Sequence, residues 1–266
     1  MNTVIGLLII AIGAFCQSSS YVPINKIRKW SWESYWLIQG VFAWLIFPIL
    51  GALLAVPQGH GLFELYAAAP KESFLTMFFG VLWGVGGLTF GLSMRYLGVA
   101  LGQSIALGTC AGLGTIMGPV PLNIFFPELD ALSSLTAGVI IGVVTTLAGI
   151  AIIGIAGGMK SASLSEEEKK EAVKDFNFPK GLAIALLAGF MSGCFNVGLE
   201  FGKELNFGEL TDPMFRTLPA TLLVTVGGFL TNACYCIFQN VRNRTFTDYK
   251  DGKLWASNIF FCALAG

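Results

Sequence analysis

Charge is what this 266-residue sequence has least of. Asp, Glu, Lys and Arg together make up 12% of it, against 55% hydrophobic residues and a mean hydropathy of +0.71. Soluble domains carry about a quarter charged residues, so a soluble globular domain is excluded. Sixteen cations balance sixteen carboxylates, and a chain without a basic surplus is no nucleic-acid binder. There is one histidine, His60, clear of the six cysteines, and no C-x-x-C pair. That argues against structural zinc and a disulfide framework, and leaves the cysteines as small apolar packing residues. No metal or cofactor is expected. Neither G-x-S-x-G nor H-E-x-x-H occurs, so an intramembrane hydrolase, or any enzyme, finds no support. Strand-period alternation is missing too, which excludes a transmembrane barrel.

What the sequence does have is apolar length. Runs of 18 or more residues with few charges recur, each long enough as a helix to cross the ~30 Å hydrocarbon core. They fall at roughly 3–24, 32–56, 73–94, 97–118, 132–156, 180–201 and 218–240, with an eighth starting near 254. This predicts an all-α, polytopic membrane protein. The N-terminus, "MNTVIGLLIIAIGAF", carries no basic region before its apolar run and reads as a retained first span.

Orientation follows from the cations. Connections after the odd-numbered helices hold thirteen Lys and Arg; those after the even-numbered ones hold three, Lys71, Lys203 and Arg216. By the positive-inside rule the N-terminus lies outside and the odd-to-even connections are cytoplasmic, in a bacterial inner membrane. Arg95, the only charge between Glu72 and Glu128, then stands at a cytoplasmic turn. Its "RYLG" context supplies a cation, an interfacial tyrosine and a glycine for the reversal, so Arg95 is read as a topology anchor that could also gate the cytoplasmic mouth. Glu33 flanks the inner belt and is expected to be solvated.

The one markedly polar stretch, 157–178, reads as a cytoplasmic linker between a first five-helix transmembrane repeat, 1–156, and an incomplete second one, 179–266. An odd number of helices per half inverts the second half, the plan of inverted-repeat transporters. "GLLIIAIGAF" (6–15) and "GLAIALLAGF" (181–190) align without gaps. On this plan the chain looks C-terminally truncated, with about seven and a half of ten helices.

Nine Gly-x-x-x-Gly pairs occur, which suits close helix packing and, beyond that, helices that rock. Ionisable groups inside spans are functional candidates by default, and Glu200 is the acidic residue inside one; it is assigned proton coupling, with two alternatives, an interfacial ion pair near Lys203 and a coupling residue beyond Gly266. Gln17, Ser20, Tyr21, Trp83, Gln103 and Asn196 are the candidate substrate residues. Amides, hydroxyls and an aromatic face without midplane charge suit a neutral, polyhydroxylated solute.

The stretches "NKIRKWSWESYW" (25–36) and "FGVLWGVGGLTFGLSMRYLGVALGQSIALG" (79–108) resemble the L-rhamnose–proton symporter family of the drug/metabolite transporter superfamily. The resemblance continues more weakly through "FNFPKGLAIALLAGFMSG" (176–193). It implies a ten-helix inverted-repeat fold and proton-coupled uptake of L-rhamnose or a related 6-deoxyhexose, so the partners are a sugar, a proton and the bilayer; a homodimer stays open. The chain departs from the family pattern at Gly87, Leu88 and Thr89, where asparagines are expected, at Gln103 for a glycine, and at Glu200 for a neutral residue. Two alternatives stay open: a related exporter of another small solute, and a non-transporting, truncated membrane protein.

Overall fold

The computed structural model describes residues 3–163, 165, 176–250 and 252–266. We label eight helices: α1 Thr3–Ser19, α2 Trp32–Leu53, α3 Pro70–Leu97, α4 Val99–Met117, α5 Ala137–Ser163, α6 Phe178–Phe201, α7 Leu218–Asn243 and α8 Gly252–Ala265. Among the described residues, six segments are long and apolar enough to span a membrane: α2, α3, Leu101–Phe125, Ala137–Lys160, α6 and α7; the apolar parts of α1 and α8 are shorter. The chain is an all-α polytopic membrane protein.

Helix ends follow local chemistry. α3 starts earlier than the hydropathy pattern predicts because Pro70, in its first turn, needs no backbone donor there. It continues to Leu97 and stops at Gly98, whose φ of 81° is open to glycine alone without strain. Arg95 is thus exposed in the last turn before the reversal into α4. Asn177 caps α6 by accepting the Lys180 N–H at 3.1 Å, with Pro179 following. α5 runs on to Ser163, so helix extends into the segment read as a linker, 157–178, of which 164 and 166–175 lie outside the described residues.

α3 is the central helix, packed against α4, α6 and α7. Its crossing with α7 is backbone against backbone: a Cβ on Gly80 would overlap the Val224 carbonyl, and one on Gly227 that of Met77. The two helices run parallel, with Gly84 over Gly228 one turn on. Thr231 Oγ1 donates to the Val81 carbonyl at 2.9 Å across the seam. α6 lies antiparallel to α3, with Gly86 against Ser192 and Phe79 stacked on Phe201. α5 covers α4 with its partner face and leaves Ile141, Val144 and Ile152 exposed on the other, as a lipid-facing helix does. α1 makes few contacts with the other described helices, and Leu7, Leu8 and Phe15 are exposed. Of the Gly-x-x-x-Gly pairs, 80/84, 189/193 and 198/202 sit at such crossings, whereas Gly87 and Gly91 face open space.

Candidate functional site

The most continuous chemical feature is an aromatic run. Pro48 in α2 lacks the N–H that would bond the Trp44 carbonyl, and the helix widens there into a π-turn, Phe42–Ile46, closed by the Phe47 N–H on the Phe42 carbonyl. The turn re-aims Trp44. Its ring lies over Gly40, where a Cβ would come within 2.8 Å of it. Trp44 then meets Trp36 edge-to-face at 5.8 Å and Trp83 of α3 at 6.1 Å. Trp32 stacks on Trp36 at 5.6 Å, and Trp83 reaches Phe195 of α6 at 5.0 Å.

One amide ties this run to the bundle. Trp36 Nε1 donates to Asn232 Oδ1 at 3.1 Å, while Asn232 Nδ2 donates to the Gly228 carbonyl at 2.9 Å and the Gly84 carbonyl at 3.3 Å. Asn232, 4% exposed, therefore holds α2, α3 and α7 together. Trp36 and Trp44 were not among the sequence-derived candidates; the signal that could have found them is three tryptophans, Trp32, Trp36 and Trp44, within one apolar run, though nothing in it points to Trp83.

The sequence-derived site residues are scattered by the fold. Trp83 lies in the aromatic run. Asn196 is exposed on α6 with its amide against Gly114 of α4. Gln103 is exposed near the other end of α4. Ser20 is half-buried beyond the end of α1, and the side chains of Gln17 and Tyr21 lie outside the described residues.

Glu200 borders a cavity of about 550 Å³ at the end of the bundle where α6 stops, lined also by Glu72, Glu128, Lys203 and Phe201. Its carboxylate is 3.9 Å from Lys203 Nζ. At the opposite end stands a buried polar cluster that the sequence reading missed. Glu33 is 7% exposed rather than solvated, because the end of α7 and the 3₁₀ segment Thr245–Lys250 fold over it. Asn243 Nδ2 and Thr245 Oγ1 each lie 2.9 Å from Glu33 Oε1. Asp248 returns the exchange by accepting from the Ser31 N–H at 2.8 Å and from its hydroxyl. Burial opposes ionisation of Asp248, but the bonds from Ser31 outweigh it and hold its carboxyl below the ordinary value. Tyr249 donates to the Ser34 carbonyl at 3.0 Å, and burial pushes its hydroxyl up to about 12. The signal for this cluster was present only as scattered polar residues 210 positions apart.

A bundle of long apolar helices that holds tryptophans, amides and carboxylates inside it defines a class: polytopic membrane transport proteins. The chain belongs to the family described as L-rhamnose-proton symport protein (RhaT), whose family model matches residues 1–266. This is a family of symporters, not of enzymes. A curated L-rhamnose-proton symporter of Cronobacter sakazakii (strain ATCC BAA-894) is 34% identical over 98% of this chain and 75% of its own length. One from Yersinia pestis bv. Antiqua (strain Antiqua) is 30% identical over 99% of this chain and 76% of its own length, and one from Yersinia pseudotuberculosis serotype O:1b (strain IP 31758) matches to the same extent. No solved structure matches the chain.

Proposed function

We propose that the protein carries L-rhamnose or a related 6-deoxyhexose across the bacterial inner membrane together with a proton, by alternating access. The observation that carries this reading is the family match over the entire chain, with relatives named L-rhamnose-proton symporters. The site chemistry fits: tryptophan faces suit the apolar side of a deoxysugar, and the exposed amides of Gln103 and Asn196 suit its hydroxyls. Glu200 and Lys203 belong, in this reading, to the outer mouth. The test is uptake of labelled rhamnose into proteoliposomes. An inside-alkaline pH gradient should drive accumulation above the external concentration, and a protonophore should abolish it. Equilibration without accumulation would defeat the reading.

The packing supports an inverted repeat. If α2 corresponds to α7 and α3 to α8, the parallel α3–α7 contact becomes an α8–α2 contact. Such a contact is present and also parallel: Arg28 pairs with Asn258, Tyr35 with Cys262 and Gln39 with Ala265. For orientation, the end carrying Arg28, Arg95, Lys180 and Arg242 is the cytoplasmic one, and the end with Glu72, Glu128 and Glu200 is periplasmic, which puts the N-terminus outside. A cysteine at Ser163 in a Cys-less background should resist an impermeant thiol reagent in intact cells and react in inverted vesicles. Labelling in intact cells would reverse the assignment.

A further inference from the structure

Seven cations and three carboxylates lie in the two stretches that meet at the Glu33 end of the bundle, 25–33 and 242–253. The fold sorts them by face. Glu33 and Asp248 are held inward by neutral donors, Asn243 and Thr245 for the one and Ser31 for the other. The third carboxylate, Asp251, lies outside the described residues. Lys26, Arg28, Arg242, Arg244 and Lys250 are exposed, and none of these five forms a salt bridge among the described residues. The outward face at this end is therefore cationic.

Arg242 also ends a stripe on α7, with Gln239 three residues and Tyr235 seven residues before it on one helical face. Trp32, exposed in the first turn of α2, meets the exposed Tyr235 edge-on at 6.2 Å. The stripe offers donors. Trp32 Nε1 has no acceptor among the described residues. Gln239 Nε2 donates to Tyr235 Oη at 3.0 Å, so the tyrosine hydrogen is left to be given elsewhere. Turning the amide would hand that hydrogen to the buried, otherwise unpartnered Gln239 Oε1 and leave Nε2 as the free donor. Tyr235 and the exposed Phe238 lie deeper than Arg242, Tyr235 by about 10 Å along the helix. The headgroup layer is ~5–8 Å thick on each side of a bilayer, so the stripe runs from phosphate depth into the upper acyl chains. The geometry points to a binding site for an anionic phospholipid. Arg242 takes the phosphate by charge-assisted bonds, the Tyr235–Gln239 pair and Trp32 donate to the ester carbonyls, and Phe238 covers an acyl chain. The other cations supply the field that favours an anionic over a zwitterionic headgroup.

The test titrates dioctanoyl phosphatidylglycerol into the purified chain in a neutral detergent and counts bound lipid by native mass spectrometry. Dioctanoyl phosphatidylcholine and inorganic phosphate are the other arms. Phosphatidylglycerol should bind at a concentration about tenfold or more below phosphatidylcholine, and inorganic phosphate at the same concentration should not displace it. Arg242→Gln should weaken phosphatidylglycerol about fivefold or more, the worth of one cation at a membrane surface. The double variant Tyr235→Phe, Gln239→Leu should weaken it as well, with no change of charge. Lys250→Gln, at the same end but outside the stripe, should weaken it less than Arg242→Gln does. Equal losses in Arg242→Gln and Lys250→Gln, with none in the double variant, would mean diffuse attraction and overturn the site. Displacement by inorganic phosphate would overturn the lipid as its ligand. A dimer that retains no lipid and comes apart in the double variant would give this face to a second copy of the chain, and the proposal would fall.

Discussion

Replacing Gly227 by leucine should leave no folded bundle to purify. Gly227 has its Cα against the α3 backbone; an added Cβ would overlap the Met77 carbonyl and stand 2.8 Å from the Val81 nitrogen. These are main-chain atoms of a helix held from its other side by α6, so neither can swing aside as a side-chain tip would. Overpacking a core typically costs ~1–3 kcal/mol when side chains can repack, and more when backbones must part. Parting α3 and α7 also breaks the Thr231–Val81 and Asn232–Gly84 bonds, each worth about 0.6 kcal/mol in membrane bundles. Gly87→Leu is the matched control, since nothing lies within 4 Å of its would-be Cβ. Size-exclusion profiles in detergent after graded heating should show Gly227→Leu aggregated from the start and Gly87→Leu near wild type. Equal behaviour of the two would mean the α3–α7 crossing is not as described.

Trp83→Ala is the second large effect, and it separates binding from folding. The indole sits on Gly228 and makes edge contacts with Trp44 and Phe195, so its loss interrupts the aromatic run at its centre. If the ring stacks on the sugar, the half-saturating rhamnose concentration for counterflow should rise about 5- to 100-fold, the equivalent of roughly 1–3 kcal/mol. Trp83→Phe keeps an aromatic face and should recover part of that affinity. Ile152→Ala, on the exposed, lipid-facing side of α5, calibrates the measurement. A half-saturating concentration for Trp83→Ala within about twofold of wild type, on protein with an unchanged size-exclusion profile, would remove Trp83 from the substrate site.

How much of the site could be read in advance depended on the range of the interaction. Trp83 and Glu200 stand out in a sequence because an indole or a carboxylate inside an apolar run is rare whatever the fold. Glu33 was misread for the complementary reason. At the edge of a span, beside Lys26, Arg28 and Lys29, an acidic residue has water available by default. Only the return of α7, Asn243 and Thr245 above all, takes that water away. The spread of Gln103, Asn196 and Trp83 over separate faces was equally unreadable, since polar residues look alike until helix rotation is set by packing.

The sequence by itself determined the solvent, the helices and their ends. Hydropathy chooses the bilayer, and in a bilayer every backbone group must bond within its own helix, so apolar length translates directly into spans. Gly98, Pro70, Asn177 and Pro48 act on their own turns and need no neighbours to do so. Tertiary structure alone decided which faces meet. Lipid is as apolar as leucine, so hydrophobic pattern gives no preference for one face over another; the small residues at Gly80, Gly84, Gly227 and Gly228 let α3 and α7 approach, and that contact places Trp83 beside Trp44. The cluster around Glu33 exists for the same reason, because its partners lie more than two hundred residues apart and meet only when α2 and α7 have packed.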